Sequence, residues 1–92
     1  MNPKRDRLAI IHDMLQIISS RGNKMNPTQI MYKANLSHQM LGEYLNEIMS
    51  KGFVAEEIDK KGKKTYSLTE KGFGFLKDFE IIKKFFDSYG LN

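Results

Sequence analysis

Four lysines surround a single glycine in the stretch IDKKGKKTYSLTEKG, which runs from residue 58 to residue 72. They are Lys60, Lys61, Lys63 and Lys64. A surface loop needs polar residues, but like charges this close together repel one another. Ammonium groups bind phosphate oxygens, and each phosphate neutralised on a nucleic acid releases counterions. The loop therefore predicts contact with a polyanion. The alternative is a solvated turn in a lysine-rich chain.

A second set of polar side chains lies in SHQMLGEYLNEIMSK, residues 37–51. Its apolar residues recur at the spacing of one buried helix face, and this inward set is Leu41, Leu45, Ile48 and Met49. The remaining N-terminal residues point outward, where a nucleic-acid-binding helix reaches base edges. These candidates are Ser37, His38, Gln39, Met40, Gly42, Glu43 and Asn46.

The amide of Gln39 can pair bidentately with adenine, and Asn46 could do the same. Ser37, by its side chain or its backbone N–H, can hold a phosphate, and His38 is expected to face phosphate or solvent because nothing pairs with it. Supporting phosphate contacts are predicted before and along the first two helices, from Lys4, Arg5, Arg7, Thr28 and Lys33. The alternative for the outward residues is a solvated helix face, with Gly42 serving only close packing.

Enzymatic chemistry finds little support in the sequence. Gly72-Phe73-Gly74 lacks the rest of a phosphate-binding glycine pattern, and no nucleophile, base and orienting acid are grouped. There is no cysteine, and His12 and His38 are too far apart to suggest a metal site. We therefore predict no catalysis, no cofactor, no metal and no evident small-molecule ligand.

Length and charge limit the possible classes of protein. Ninety-two residues make one domain, and the net charge is +4 with a pI of about 9.4. Residues 1–71 hold twelve basic and eight acidic residues (12 − 8 = +4), whereas residues 72–92 hold three of each. No apolar run is long enough for a membrane span, and the first residues do not resemble a signal peptide. We expect a cytoplasmic protein, and a nucleoid-associated one if the polyanion that the lysines bind is DNA.

The elements that carry these residues can be predicted from local signals. The first helix is RDRLAIIHDMLQIISS, residues 5–20, with Asp6 in its first turn and a stop at Gly22. Its apolar stripe is Leu8, Ile11, Leu15 and Ile18. A short helix, PTQIMYKA, follows Asn26 as its cap, and its buried residues are predicted to be Ile30, Met31 and Ala34. Asn35 allows a tight turn, Leu36 plugs it, and Ser37 caps the third helix.

Two β-like runs, residues 53–55 and 65–68, flank the lysines and predict a hairpin with Gly62 at its tip. A helix-turn-helix followed at once by a hairpin is the winged-helix plan, in which the hairpin is the wing. The fold class predicted is therefore mainly α with a β-hairpin: a winged helix-turn-helix domain in residues 1–70, plus a C-terminal helix.

The last segment, residues 71–92, predicts a helix capped by Thr69 that carries apolar residues at spacings of 4, 3, 4 and 3. These are Phe75, Phe79, Ile82, Phe86 and Tyr89. Phe73 and Leu76 are predicted to reach the domain core. So much apolar surface needs a cover, and we predict homodimerisation through an antiparallel coiled-coil-type contact. The alternative is that the helix folds back on the first helix.

The runs QIMYKANLSHQMLGEYLNEIMSKGFV and KKTYSLTEKG resemble small archaeal winged-helix DNA-binding proteins that dimerise through a C-terminal coiled coil. The resemblance extends from about residue 4 to the start of the last helix. It implies a two-fold dimer that binds duplex DNA, with residues 37–49 as recognition helix and residues 60–64 as wing tip. It also implies a transcriptional regulator or a chromatin-associated, architectural protein.

One further interpretation remains open. The predicted recognition helix carries Glu43 and Glu47 but no lysine or arginine before Lys51. A winged helix could turn such a face toward a protein and dock its aromatic helix on the same partner, without binding DNA. Loss of duplex binding even at low salt would favour that interaction module.

Overall fold

A computed structural model describes residues 5–20 and 22–91, which form four helices and one two-stranded antiparallel hairpin. The order is α1 (Arg7–Ser20), α2 (Pro27–Ala34), α3 (His38–Ser50), β1 (Val54–Ile58), β2 (Lys64–Leu68) and α4 (Glu70–Ser88). This order confirms the predicted fold class.

Helix α1 begins at Arg7 because Asp6 caps it rather than standing in its first turn. The Asp6 carboxylate accepts a hydrogen bond from the Ala9 backbone N–H at 2.8 Å. The buried face of α1 consists of Ile10, Ile11, Met14, Leu15 and Ile18. Leu8 is 53% exposed, so its prediction as part of the core stripe was wrong. The physical reason is that Leu8 lies beyond the edge of the core. Its side chain faces Ile82 and Phe86 in the C-terminal half of α4 instead.

The α2–turn–α3 unit is held by the helix caps and the tight turn that the sequence predicted. Asn26 and Gln29 form a reciprocal capping box, and Pro27 occupies the first helical position. Asn35 adopts the left-handed conformation with φ 56°, and Leu36 is buried beneath the turn. Ser37 caps α3 by accepting the Met40 N–H at 3.1 Å. Of the predicted α2 core, Ile30 and Ala34 are buried and Met31 is partly buried.

The strands of the hairpin are longer than predicted, with Val54 opposite Leu68 and Ile58 opposite Lys64. Met25 adds a single residue to the sheet, exchanging two backbone hydrogen bonds with Tyr66 at 3.0 and 2.7 Å. The hairpin is therefore fixed to the helical part by both Met25 and the buried side chains of Val54, Tyr66 and Leu68.

Tyr66 makes the hairpin sensitive to alkaline pH. Its ring is buried and its hydroxyl donates to Glu56 Oε2 at 2.6 Å. Burial, and then the hydrogen bond to Glu56 and the negative charge of Glu56, raise the pKa of Tyr66 from 10.0 to about 12. A tyrosine with a raised folded-state pKa stabilises the fold below pH 10 and loses that contribution as the pH rises toward 12.

We therefore expect the wild-type free energy of unfolding to fall by roughly 2 kcal/mol more than that of Tyr66→Phe between pH 9 and pH 12. Denaturant titrations of both proteins across this range measure the difference, and lysine ionisation cancels in the comparison. Parallel pH curves for the two proteins would contradict the expectation.

The start of α4 is fixed directly onto the end of α3. Thr69 donates its hydroxyl to the Gly52 carbonyl at 2.5 Å, and its N–H donates to the Phe53 carbonyl at 3.0 Å. Lys71 donates to the Lys51 carbonyl at 2.7 Å. Gly72 is buried so close to Phe53 that a Cβ there would overlap the Phe53 carbonyl oxygen. No flexible linker therefore separates α4 from the winged-helix part.

Among the described residues, the first half of α4 is the part that packs closely against the rest of the chain. Phe75 lies 5.1 Å from the Phe53 ring, and Phe79 stacks on His12 at 4.1 Å between ring centroids. Leu76 packs against the core as predicted, but Phe73 is 46% exposed and its predicted core contact was wrong. Two residues correspond to about 200° around a helix, so Phe73 points away from the side on which Phe75 packs against Phe53. From Glu80 to Leu91 every residue is exposed.

Among residues 5–20 and 22–91, no helix is long and apolar enough to cross a membrane. The same residues contain no cluster of three or more side chains suited to hold a metal ion.

Candidate nucleic-acid interface

The outward face of α3 is formed by Gln39, Gly42, Glu43 and Asn46, which we call the outer strip. At about 100° per residue these four positions share one side of the helix, opposite the buried Leu41, Leu45 and Ile48. All four are exposed, as is His38. Met40 differs from the other predicted contacts because it is partly buried against the core. The strip offers two amides and one carboxylate.

Gly42 makes no close packing contact with the part of the chain that the structure describes. A Cβ built on Gly42 would meet no heavy atom within 4 Å among the described residues. The alternative that this glycine serves close packing was therefore wrong for the described part of the chain. Glycine inside a helix costs about 1 kcal/mol relative to alanine. Its missing side chain leaves the backbone of α3 open to close approach from outside.

The two arginines predicted to contact phosphate, Arg5 and Arg7, have partners within the chain. Arg5 forms an ion pair with Asp13 at 2.9 Å and donates to the backbone carbonyls of Ala34 and Asn35 at 2.7 and 3.2 Å. It thereby binds the turn between α2 and α3. Because the hydrogen bonds from Arg5 to Ala34 and Asn35 span about thirty residues, local sequence patterns gave no signal for them.

Arg7 has a different intramolecular partner on α3. Its Nε donates to Glu47 Oε1 at 3.0 Å, and Nη2 donates to the second carboxylate oxygen. The charge of Glu47 is therefore compensated, whereas among residues 5–20 and 22–91 the one hydrogen bond to the Glu43 side chain comes from Gln39 Nε2, at 3.2 Å. Lys4, the remaining residue predicted near this end of α1, lies outside the described residues.

Asp59 organises the wing tip and was missed by the sequence analysis. Its Oδ1 accepts the backbone N–H groups of Lys61 and Lys63 at 2.8 and 2.9 Å. Gly62 turns the chain with φ 82° and donates to the Asp59 carbonyl at 3.0 Å. An aspartate before a lysine-glycine turn is a known local signal, since its side chain bonds the backbone two residues on.

The four wing lysines are exposed. Within residues 5–20 and 22–91 no carboxylate lies within 4.0 Å of their ammonium groups. Lys63 and Lys64 also border an open groove of about 490 Å³ whose other side is the N-terminus of α2, including Thr28. The structure thus brings Thr28 and two wing lysines together. Lys33 is exposed in the last turn of α2 and does not border this groove.

Helix α4 and α1 enclose a second, apolar groove of about 330 Å³. It is lined by Leu8, Phe79, Ile82, Lys83, Phe86 and Leu91, and we call it the apolar groove. Phe75 is absent from the lining because it packs on Phe53. Ile81, Phe85 and Tyr89 add exposed apolar surface beside the groove. The groove thus joins part of the predicted seam to Leu8 of α1.

A helix-turn-helix followed by a two-stranded hairpin that stands beside an exposed helix defines a winged-helix protein. The chain belongs to the winged helix-turn-helix family, whose profile matches residues 4–86. The family consists of binding proteins rather than enzymes, in agreement with the prediction that this chain is not an enzyme.

The chain is 36% identical over 69 residues to an uncharacterized protein of Methanocaldococcus jannaschii, an archaeon. That match covers 75% of this chain and spans 64%, slightly under two thirds, of the relative's length.

Two solved structures of similar size share the fold. Sso10a-2, a DNA-binding protein from Sulfolobus solfataricus, has a TM-score of 0.72 at 22% identity, over 94% of this chain and 90% of its own. F93 from STIV, a winged-helix DNA-binding protein, also has a TM-score of 0.72, at 18% identity, over 88% and 92%.

A larger regulator shares the fold over part of its length. MepR, a transcription regulator of a Staphylococcus aureus efflux pump, has a TM-score of 0.77 at 14% identity, over 87% of this chain and 60% of its own.

Proposed function

We propose that this protein is a homodimer that binds double-stranded DNA without catalysis. Helix α3 enters the major groove with the outer strip toward the base edges, and the wing lysines contact the flanking backbone or minor groove. One observation carries the proposal: four exposed lysines stand on a wing tip that Asp59 holds in shape.

The rest of the interface supports this arrangement. Thr28 borders the same groove as Lys63 and Lys64, so it could extend the line of phosphate contacts toward α2. Gly42 allows the backbone of α3 to approach the groove wall closely. Sso10a-2 and F93, which share the fold, are described as DNA-binding proteins.

The salt dependence of duplex affinity tests the proposal. Affinity should fall steeply with salt, because each phosphate neutralised contributes a slope of about −0.9 to log K against log [salt]. Four wing lysines in each of two protomers predict a slope of roughly −4 to −7 if most of them contact phosphate. Fluorescence anisotropy with a labelled duplex from 50 to 300 mM salt measures it. No binding at the lowest salt would refute the proposal.

The homodimer is proposed to form when the outer half of α4 covers the apolar groove of a second copy, with the two α4 helices antiparallel. Residues 72–92 carry no net charge, so two such helices do not repel one another through net charge, unlike the rest of the chain. The contact would use Ile82, Phe86 and Tyr89 of the predicted seam and add Leu8. Phe75 and Phe79 contribute less than the spacing suggested, since both pack on their own protomer.

We expect the double variant Ile82→Asp and Phe86→Asp to be monomeric, because two carboxylates cannot be buried without partners. Both side chains are exposed within the protomer, at 54% and 44%, so the fold should survive. Light scattering measures the mass and circular dichroism checks the fold. Glu80→Asp and Lys84→Gln together form the control, on exposed polar positions of the same helix. A wild-type protein that is already monomeric at micromolar concentration would overturn the dimer.

The proposal leaves the choice between a transcriptional regulator and an architectural protein to experiment. Selection of bound duplexes from a random pool at two ionic strengths separates them. A recovered sequence motif indicates operator binding by a regulator, whereas equal recovery of unrelated duplexes indicates architectural binding.

A further inference from the structure

The Glu43 carboxylate on the outer strip calls for an explanation if α3 faces DNA, because among residues 5–20 and 22–91 no cationic nitrogen lies within 4.0 Å of it. A negative side chain beside phosphates lowers affinity, and the structure neutralises only one of the two glutamates of α3, by pairing Glu47 with Arg7. Glu43 instead accepts a hydrogen bond from Gln39 Nε2, one helical turn earlier, at 3.2 Å. Its position is tied to an amide rather than to a cation.

A glutamine amide can present its oxygen and nitrogen in either of two orientations. An ionised carboxylate only accepts hydrogen bonds, so Glu43 binds the NH₂ group and excludes the orientation that would turn the amide oxygen toward it. One N–H of Gln39 is then used by Glu43. The second N–H and the oxygen remain as a donor beside an acceptor, which is the pattern that matches the N7 and N6 edge of adenine.

We infer that Glu43 is a positioning residue that fixes the Gln39 amide for recognition of adenine in the major groove. The inference rests on the proposed DNA binding. It assigns base choice to the Gln39–Glu43 pair and affinity mainly to the wing lysines. The unfavourable charge of Glu43 is the cost of holding that amide in one orientation.

The test compares Glu43→Gln, Glu43→Ala and Gln39→Ala with the wild type, each by selection from a random duplex pool and by anisotropy on the recovered duplex. Glu43→Gln keeps an acceptor for Gln39 and removes the charge, so affinity should rise several-fold on all duplexes while the preference for adenine stays. Glu43→Ala also removes the charge, but it should reduce the preference at one base pair by about tenfold. Gln39→Ala should reduce that preference at the same base pair.

The control is Glu80→Gln, which makes the same charge change on α4 and should leave the base preference unchanged. Adenine preference that is intact in Glu43→Ala or in Gln39→Ala overturns the inference, and so does wild-type binding with no base preference. Absence of duplex binding by the wild type would instead refute the proposed function itself.

Discussion

Gly72→Ala is expected to lower the free energy of unfolding by about 2–3 kcal/mol, the largest stability effect we predict for a single methyl group. A Cβ at this position overlaps the Phe53 carbonyl oxygen and lies 3.1 Å from Leu68 Cγ. The first obstacle is backbone, and the same carbonyl accepts the Thr69 N–H, so relief requires α4 to move away from the end of α3. Thermal unfolding should show a Tm lower by roughly 10–20 °C.

Gly42→Ala is the matched control for this experiment. It adds the same methyl group to a helix, but in open space, so it should stabilise the protein by up to about 1 kcal/mol through helix propensity. Opposite signs for the two substitutions would confirm that close approach at Gly72 determines the effect. A Gly72→Ala protein as stable as the wild type would show that α4 is not held against Phe53.

Replacement of Lys60, Lys61 and Lys63 by glutamine is expected to produce the largest effect on binding. Each phosphate contact multiplies affinity by about 8 at 0.1 M salt, since the dependence is the 0.9 power of salt concentration. A dimer loses six lysines in this variant; if about half of them contact phosphate, duplex binding at 0.1 M salt should weaken by roughly 500-fold and its salt dependence should flatten. Anisotropy titrations at several salt concentrations measure both effects.

The triple change Lys51→Gln, Lys77→Gln and Lys84→Gln is the control, on exposed positions outside the wing and the apolar groove. It lowers the net charge by the same three units, from +4 to +1, without altering the wing. Equal losses of affinity in the two triple variants would mean that general charge, rather than the wing, attracts DNA. Unchanged affinity together with an unchanged salt dependence in the wing variant would remove the wing from the interface altogether.

Features of the fold that depend on a few neighbouring residues could be predicted from the sequence. The caps Asn26, Ser37 and Thr69 bond to backbone groups three residues away, so residue type and spacing specify them. The left-handed turn at Asn35 is equally local. The hairpin could be predicted from the two β-like runs, residues 53–55 and 65–68, with Gly62 between them. The position of the lysines at its tip followed from the same pattern.

Features that depend on contacts between distant segments could not be predicted. Leu8 and Phe73 fit apolar periodicity, but which side of a helix meets the core depends on how the helices cross. At the candidate site the sequence predicted Gln39 and the wing lysines as outward-facing residues, and these side chains are exposed. It gave no sign that Arg7 would be paired with Glu47, forty residues away, because such a pair exists only once α1 lies beside α3.

The direct attachment of α4 to the end of α3 has a consequence for the length of the binding site. In a dimer formed through α4, no flexible segment can adjust the distance between the two α3 helices. The spacing of the two half-sites is then set by the protein. Inserting five base pairs between them would rotate one half-site by about half a turn of the duplex and leave only one protomer able to engage.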